Sequence, residues 1–106
     1  MPKYLIQARY TQAGMQGVKS EGGSSRRDVV AKSAESIGGK VEAFYFAFGE
    51  TDVIVIFDAP DNVAAARLAV SIGATGSVSL VTTPLLTAEE IDEAVKGDAD
   101  YRKPGG

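Results

Sequence analysis

Neither cysteine nor histidine occurs among the 106 residues of this chain. Without cysteine there are no disulfides, no thiolate chemistry and no iron–sulfur ligation. Without histidine the commonest general base is missing, as is the commonest ligand for zinc and haem. A metal site would have to be built from carboxylates alone, so neither a metal nor a cofactor is expected. A large excess of either charge is lacking as well, with 11 basic against 14 acidic residues. A net charge of −3 leaves no electrostatic footprint for nucleic acid. No apolar run approaches the ~20 residues that span a bilayer, and the N-terminus lacks the charged-then-apolar pattern of a signal peptide. A cytoplasmic protein without nucleic-acid or membrane partners is therefore expected. One domain fits the length, and a chain this long can bury a core without disulfide or metal staples.

What is present centres on Val41 to Asp58. Two apolar, aromatic and β-branched runs flank Gly49-Glu50, which predicts a hairpin with a two-residue type II′ turn. Before it, Tyr4 to Tyr10 alternates as a strand, with Tyr4, Ile6, Ala8 and Tyr10 on one face and Leu5, Gln7 and Arg9 on the other. Four glycines between Thr11 and Gly23 predict a short helical turn and a loop. Ser25-Arg-Arg-Asp28 has the form of a capping box. It opens a helix marked by Val30, Ser33, Ala34 and Ile37 and stopped by Gly38-Gly39, with Asp28 and Lys32 as an i,i+4 pair. Ala59-Pro-Asp-Asn62 starts a second helix, marked by Val63, Ala66, Arg67 and Val70 and ending near Gly73 or Gly76. Ser77 to Thr83 is β-prone and is closed by Pro84. Thr87-Ala-Glu-Glu90 is another capping box, opening a third helix that runs to about Val95. Beyond it the chain is charged and glycine-ended, which predicts a domain over residues 1–96 and a loosely ordered tail over 97–106.

The element order β-α-β-β-α-β plus a terminal helix predicts an α+β, ferredoxin-like fold with an antiparallel four-stranded sheet. Two helices cover only one face of such a sheet, so the other should read as polar. It does not. Val41, Ala43, Tyr45 and Ala47 alternate with Phe44, Phe46 and Phe48, and Val53, Val55 and Phe57 alternate with Ile54 and Ile56. Apolar residues in both phases predict that the second face is covered too, by another copy of the chain in a homo-oligomer.

Several segments resemble the GYD-domain family. They are Met-Pro-Lys-Tyr-Leu at the start, Glu21-Gly-Gly-Ser-Ser-Arg-Arg27, Ile37 to Phe48 in outline, Ala59-Pro-Asp-Asn62 and Thr82-Thr-Pro-Leu-Leu-Thr87. The resemblance spans about Pro2 to Val95 and is specific because separate segments fall in order. It implies a small bacterial or archaeal protein with the dimeric α+β barrel form of the ferredoxin-like fold. The motif glycine-x-tyrosine-aspartate falls on Gly49-Glu-Thr-Asp52, where Thr51 replaces the tyrosine.

The residue types that carry chemistry are few, and no catalytic residue stands out. Gly22-Gly-Ser-Ser25 resembles an anion cradle but matches no phosphate-binding fingerprint, so a loop with a capping serine is the simpler reading. Arg26 and Arg27 fit a solvated helix face better than an anion clamp. Glu50 and Asp52 can act as paired carboxylates, although turn chemistry explains them more simply. The tyrosines read first as core with a polar tip. Arg9, with Gln7, points to the face that a partner would cover. It needs an acid, for which Glu42 and Asp52 are the candidates, or an anionic ligand. Arg9, Tyr45, Glu42 and Asp52 are therefore the candidate ligand-binding residues. The favoured function is a non-catalytic module that binds a small anionic or aromatic ligand, or assembles, as an oligomer. The alternative is a cofactor-independent enzyme, monooxygenase- or isomerase-like, acting on a small substrate, with aromatic compounds among the candidates. A regulator like the nitrogen-regulatory trimers ranks last, because the two-residue link Gly49-Glu50 leaves no room for their long loop.

Overall fold

The structure, a computed structural model, describes residues Met1–Gly106. The elements run β1 (Lys3–Tyr10), α1 (Gln12–Glu21), α2 (Gly23–Ser36), β2 (Lys40–Phe46), β3 (Val53–Asp58), α3 (Asn62–Gly73), β4 (Val78–Leu85) and α4 (Ala88–Ala94). The strands form one antiparallel sheet in the order β2-β3-β1-β4. That is the ferredoxin-like arrangement, with each β-α-β unit placing its strands two apart.

Strand alternation decides which face is covered. Tyr4, Ile6 and Ala8 of β1 are buried, as are Val53, Val55 and Phe57 of β3. They meet Ala34 of α2 and Ala64, Ala65 and Leu68 of α3 in a single core. Tyr4 and Phe57 are cross-strand partners and stack with ring centroids 5.4 Å apart. The Tyr4 hydroxyl donates to the Asn62 side chain at 2.6 Å, so this buried phenol is fully paired.

Several local expectations are corrected by tertiary contacts. The glycine-rich segment after β1 is a ten-residue helix, capped by the Thr11 side chain, which accepts from the Gly14 backbone N–H. Glycine at position 14 serves packing and not a loop: a Cβ there would lie 2.0 Å from the Ser77 carbonyl oxygen. α2 follows after the single residue Gly22, whose φ of 87° breaks the helix axis. Ser25 therefore lies inside the first turn. It forms no capping box, and its hydroxyl donates to Glu21 at 3.3 Å. Asp28 contacts Arg27 at 3.5 Å rather than Lys32.

The hairpin turn is longer than two residues. β2 ends at Phe46 and β3 begins at Val53, and Gly49 has no positive φ. The link is closed by the Ala47 N–H donating to the Asp52 carbonyl. In β2 a bulge lies between Val41 and Ala43. It places Val41 opposite Phe57 and Phe44 opposite Val55, so Val41 joins the phenylalanines on the covered face. In α3 the buried stripe is Ala64, Ala65 and Leu68, while Val63 and Val70 are exposed, a phase error of one residue. Strand β4 runs through Pro84 rather than stopping before it. As an edge strand it has one side free, and a missing N–H there breaks no ladder.

At the C-terminus the Thr87–Glu90 capping box forms as expected. Every residue of α4 is exposed, as is every residue after it. The Cα radius of gyration is 16.7 Å, against about 13 Å for a compact chain of this length, because this segment stands off the body. Deleting Asp98–Gly106 is expected to leave the melting temperature nearly unchanged, since nothing apolar is uncovered. A fall of many degrees in a thermal scan would show instead that Tyr101 docks on a neighbour.

Candidate functional site

The uncovered face of the sheet is a grid that can be read rung by rung. Tyr45, Ile54, Gln7 and Val81 are successive cross-strand partners. Ala43, Ile56, Leu5 and Thr83 form the next rung. Leu5, Ile54 and Ile56 are half-buried by their neighbours, while Tyr45 is 69% exposed and Val81 is 63% exposed. This apolar band is wet in the single chain.

Charged groups stand at its two ends. At one end Lys3 lies 2.8 Å from Asp58 and 3.4 Å from Glu42. The hydrogen bond to Asp58 is the main reason the Lys3 ammonium titrates above the usual lysine range; desolvation opposes it and Glu42 adds to it. At the other end stands Arg9, exposed, opposite Ser79 on β4. Arg9 has no acidic partner within the chain: the ion pairs are made by Lys3, Arg26, Arg27 and Lys96. Around it is a hollow of about 300 Å³, lined by Gln7, Arg9, Thr51, Ser79, Leu80 and Val81.

The four expected site residues are therefore not gathered at one point. Glu42 is taken up by Lys3, because the strand register places it at the Lys3 end of β1, far from Arg9. Asp52 is engaged with backbone: its carboxylate accepts from the Tyr10 N–H at 2.9 Å, and its own N–H donates to the Ala8 carbonyl at 2.9 Å. It ties the β2–β3 link to the end of β1, which accounts structurally for an aspartate at that place. Tyr45 lies on the same face as Arg9 but two strands away. Only Arg9 lines the hollow, and Thr51, beside Asp52, forms part of its wall.

A second concavity lies on the covered face, where α2 and α3 diverge. It encloses about 400 Å³. Its floor is Ile37, Leu68, Ile72 and Val78, and its walls carry the short hydroxyl side chains Ser33, Ser36, Ser71 and Thr75. Tyr10 and Arg26 close one end and also line a smaller recess of about 110 Å³ beneath α1, with Gly14 and Gly17. No local motif marks this groove. The only hint in the sequence is serine at positions 33 and 36 and at 71, where larger side chains would let two helices pack together. No group of three or more acidic residues is placed to hold a metal ion.

The fold and these surfaces define a small ferredoxin-like α+β protein with one sheet face left open. The family model for the GYD domain matches residues 4–95, and the chain belongs to the GYD-domain family. Comparison with curated proteins and with solved structures gave no match. No helix is long and apolar enough to cross a membrane.

Proposed function

We propose that this GYD-domain protein is a non-catalytic module that binds a small anionic ligand as a homo-oligomer, with the open sheet faces of two copies packed together. The observation that carries this reading is Arg9. Its guanidinium stands at the end of an apolar face, in a hollow, without an acid of its own chain. A guanidinium stays charged at any physiological pH, so covering this face without an anion would strand a charge. The neutral hydrogen-bonding groups beside it, Gln7 and Ser79, suit a carboxylate or phosphate held partly by the arginine fork.

The test is Arg9→Met. Assembly of the apo protein, followed by sedimentation equilibrium, is expected to be intact or strengthened, while binding of the anion is lost. A loss of about 3–5 kcal/mol in folding or assembly would assign an acid of the neighbouring copy as the partner instead. No change in either would make Arg9 an ordinary solvated residue.

A further inference from the structure

We propose that the groove between α2 and α3 is a separate binding site for a small organic acid with a flat apolar body. This shares with the preceding reading only the idea that the protein binds a ligand. It depends neither on Arg9 nor on assembly.

Three features of the groove point to that class. The first is shape. A volume of about 400 Å³ falls in the range of small-molecule clefts, about 300–1,000 Å³. Two helices lying on one sheet usually close such a gap with interdigitated aliphatic side chains. Here the facing walls hold serine and threonine, with Val29 of α2 the one aliphatic side chain among them. Ser33 and Ser36 turn their hydroxyls back onto carbonyls of α2 at 3.0 and 2.6 Å, and Thr75, in the turn after α3, donates to the Ile72 carbonyl at 2.8 Å. They act as short, satisfied walls and keep the gap open.

The second feature is the apolar floor. Leu68, 2% exposed, closes the base from the core side, and the partly buried Ile37, Ile72 and Val78 present the apolar surface that faces the groove. Water in contact with this floor is released when a flat apolar group replaces it.

The third is the polar end. Arg26 is the one charged residue among those lining the groove, which favours an anion. Its only acidic partner is Glu21, at 3.5 Å, in a pair that is partly exposed on both sides. Such pairs contribute about 0–1 kcal/mol, so a carboxylate with better geometry can displace Glu21. The Tyr10 hydroxyl, at the same end, has no partner within the chain and supplies a neutral donor beside the guanidinium. The ligand's acid group belongs between Arg26 and Tyr10, and its ring belongs over Ile72 and Val78.

The test uses the full-length protein, labelled with ¹⁵N, and sodium 2-naphthoate as probe. Saturable amide shifts are expected to be largest at Tyr10, Arg26, Ser71 and Ser77. Arg26→Gln is expected to weaken binding about tenfold, the loss of one charge-assisted hydrogen bond. Lys32→Gln, which removes an exposed base of α2 outside the groove, is expected to leave it unchanged. Ser71→Leu fills the groove from an exposed position and is expected to abolish binding without lowering the melting temperature. Ile54→Asp, which alters only the open face, is expected to retain binding. No saturable shift with millimolar probe overturns the proposal. So do shifts centred on Gln7, Arg9 and Ser79, an Arg26→Gln affinity equal to that of Lys32→Gln, or unimpaired binding by a folded Ser71→Leu protein.

Discussion

Phe57→Ala is expected to lower stability by about 3–5 kcal/mol, the cost of truncating a buried aromatic side chain. Phe57 is fully buried at the centre of the sheet. It stacks on Tyr4 at 5.4 Å and stands opposite Val41 on the other neighbouring strand. Its ring therefore joins β1, β2 and β3 under the helices. The space it leaves is bounded by strands on both sides, which cannot close on it without breaking register, so the cavity term is added to the lost transfer energy. A domain of this size has about 5–15 kcal/mol in total, and each kcal/mol shifts the melting temperature by about 4–8 °C. Urea unfolding followed by far-ultraviolet circular dichroism measures the loss. A change below about 1 kcal/mol would place the core elsewhere.

Ile54→Asp is expected to convert the proposed oligomer into a folded monomer. Ile54 lies between Tyr45 and Gln7 in the middle of the open face, away from the helices. Within one chain it is only half-buried, so an aspartate there can reach water and the fold survives. In a face-to-face pair the same position is removed from water twice, once in each copy. Because each isoleucine is already mostly covered within its own chain, pairing adds at most about a third of the ~1.5–3 kcal/mol of full burial, or about 1–2 kcal/mol for the pair. That weakens the dimer by about fivefold to thirtyfold, and confining two carboxylates away from water adds several kcal/mol more. Sedimentation equilibrium reports the mass and circular dichroism reports the fold. A wild-type protein that is already monomeric at micromolar concentration would remove the assembly, and an unchanged oligomer in the variant would move the interface off this face.

The two predictions probe opposite faces of one sheet, and the sequence treated those faces unequally. The covered face was legible in β1, where the phase of Tyr4, Ile6 and Ala8 is more apolar than that of Leu5, Gln7 and Arg9. In β3 both phases are apolar, and only its pairing with β1 decided that Val53, Val55 and Phe57 face the helices. Strand β2 was not legible to the same degree. Its two phases are equally apolar, and a bulge at Glu42, invisible in composition, moved Val41 onto the face of Phe44. The strand register set Glu42 beside Lys3, at the opposite end of β1 from Arg9.

The sequence by itself determined the order of the four strands and of every helix but α1, the helix starts at Asp61 and Thr87, the family, and the presence of apolar residues on both sheet faces. These rest on patterns of a few adjacent residues, which a local reading can resolve. Only the tertiary structure decided that α1 is a helix, because Gly14 is selected by the Ser77 carbonyl 63 residues further along the chain. It alone decided what Asp52 and Glu42 contact, and it alone revealed the groove between α2 and α3. Each of these depends on the distance between segments remote in sequence. Hydrophobic periodicity reports which way a side chain points, but not what stands opposite it.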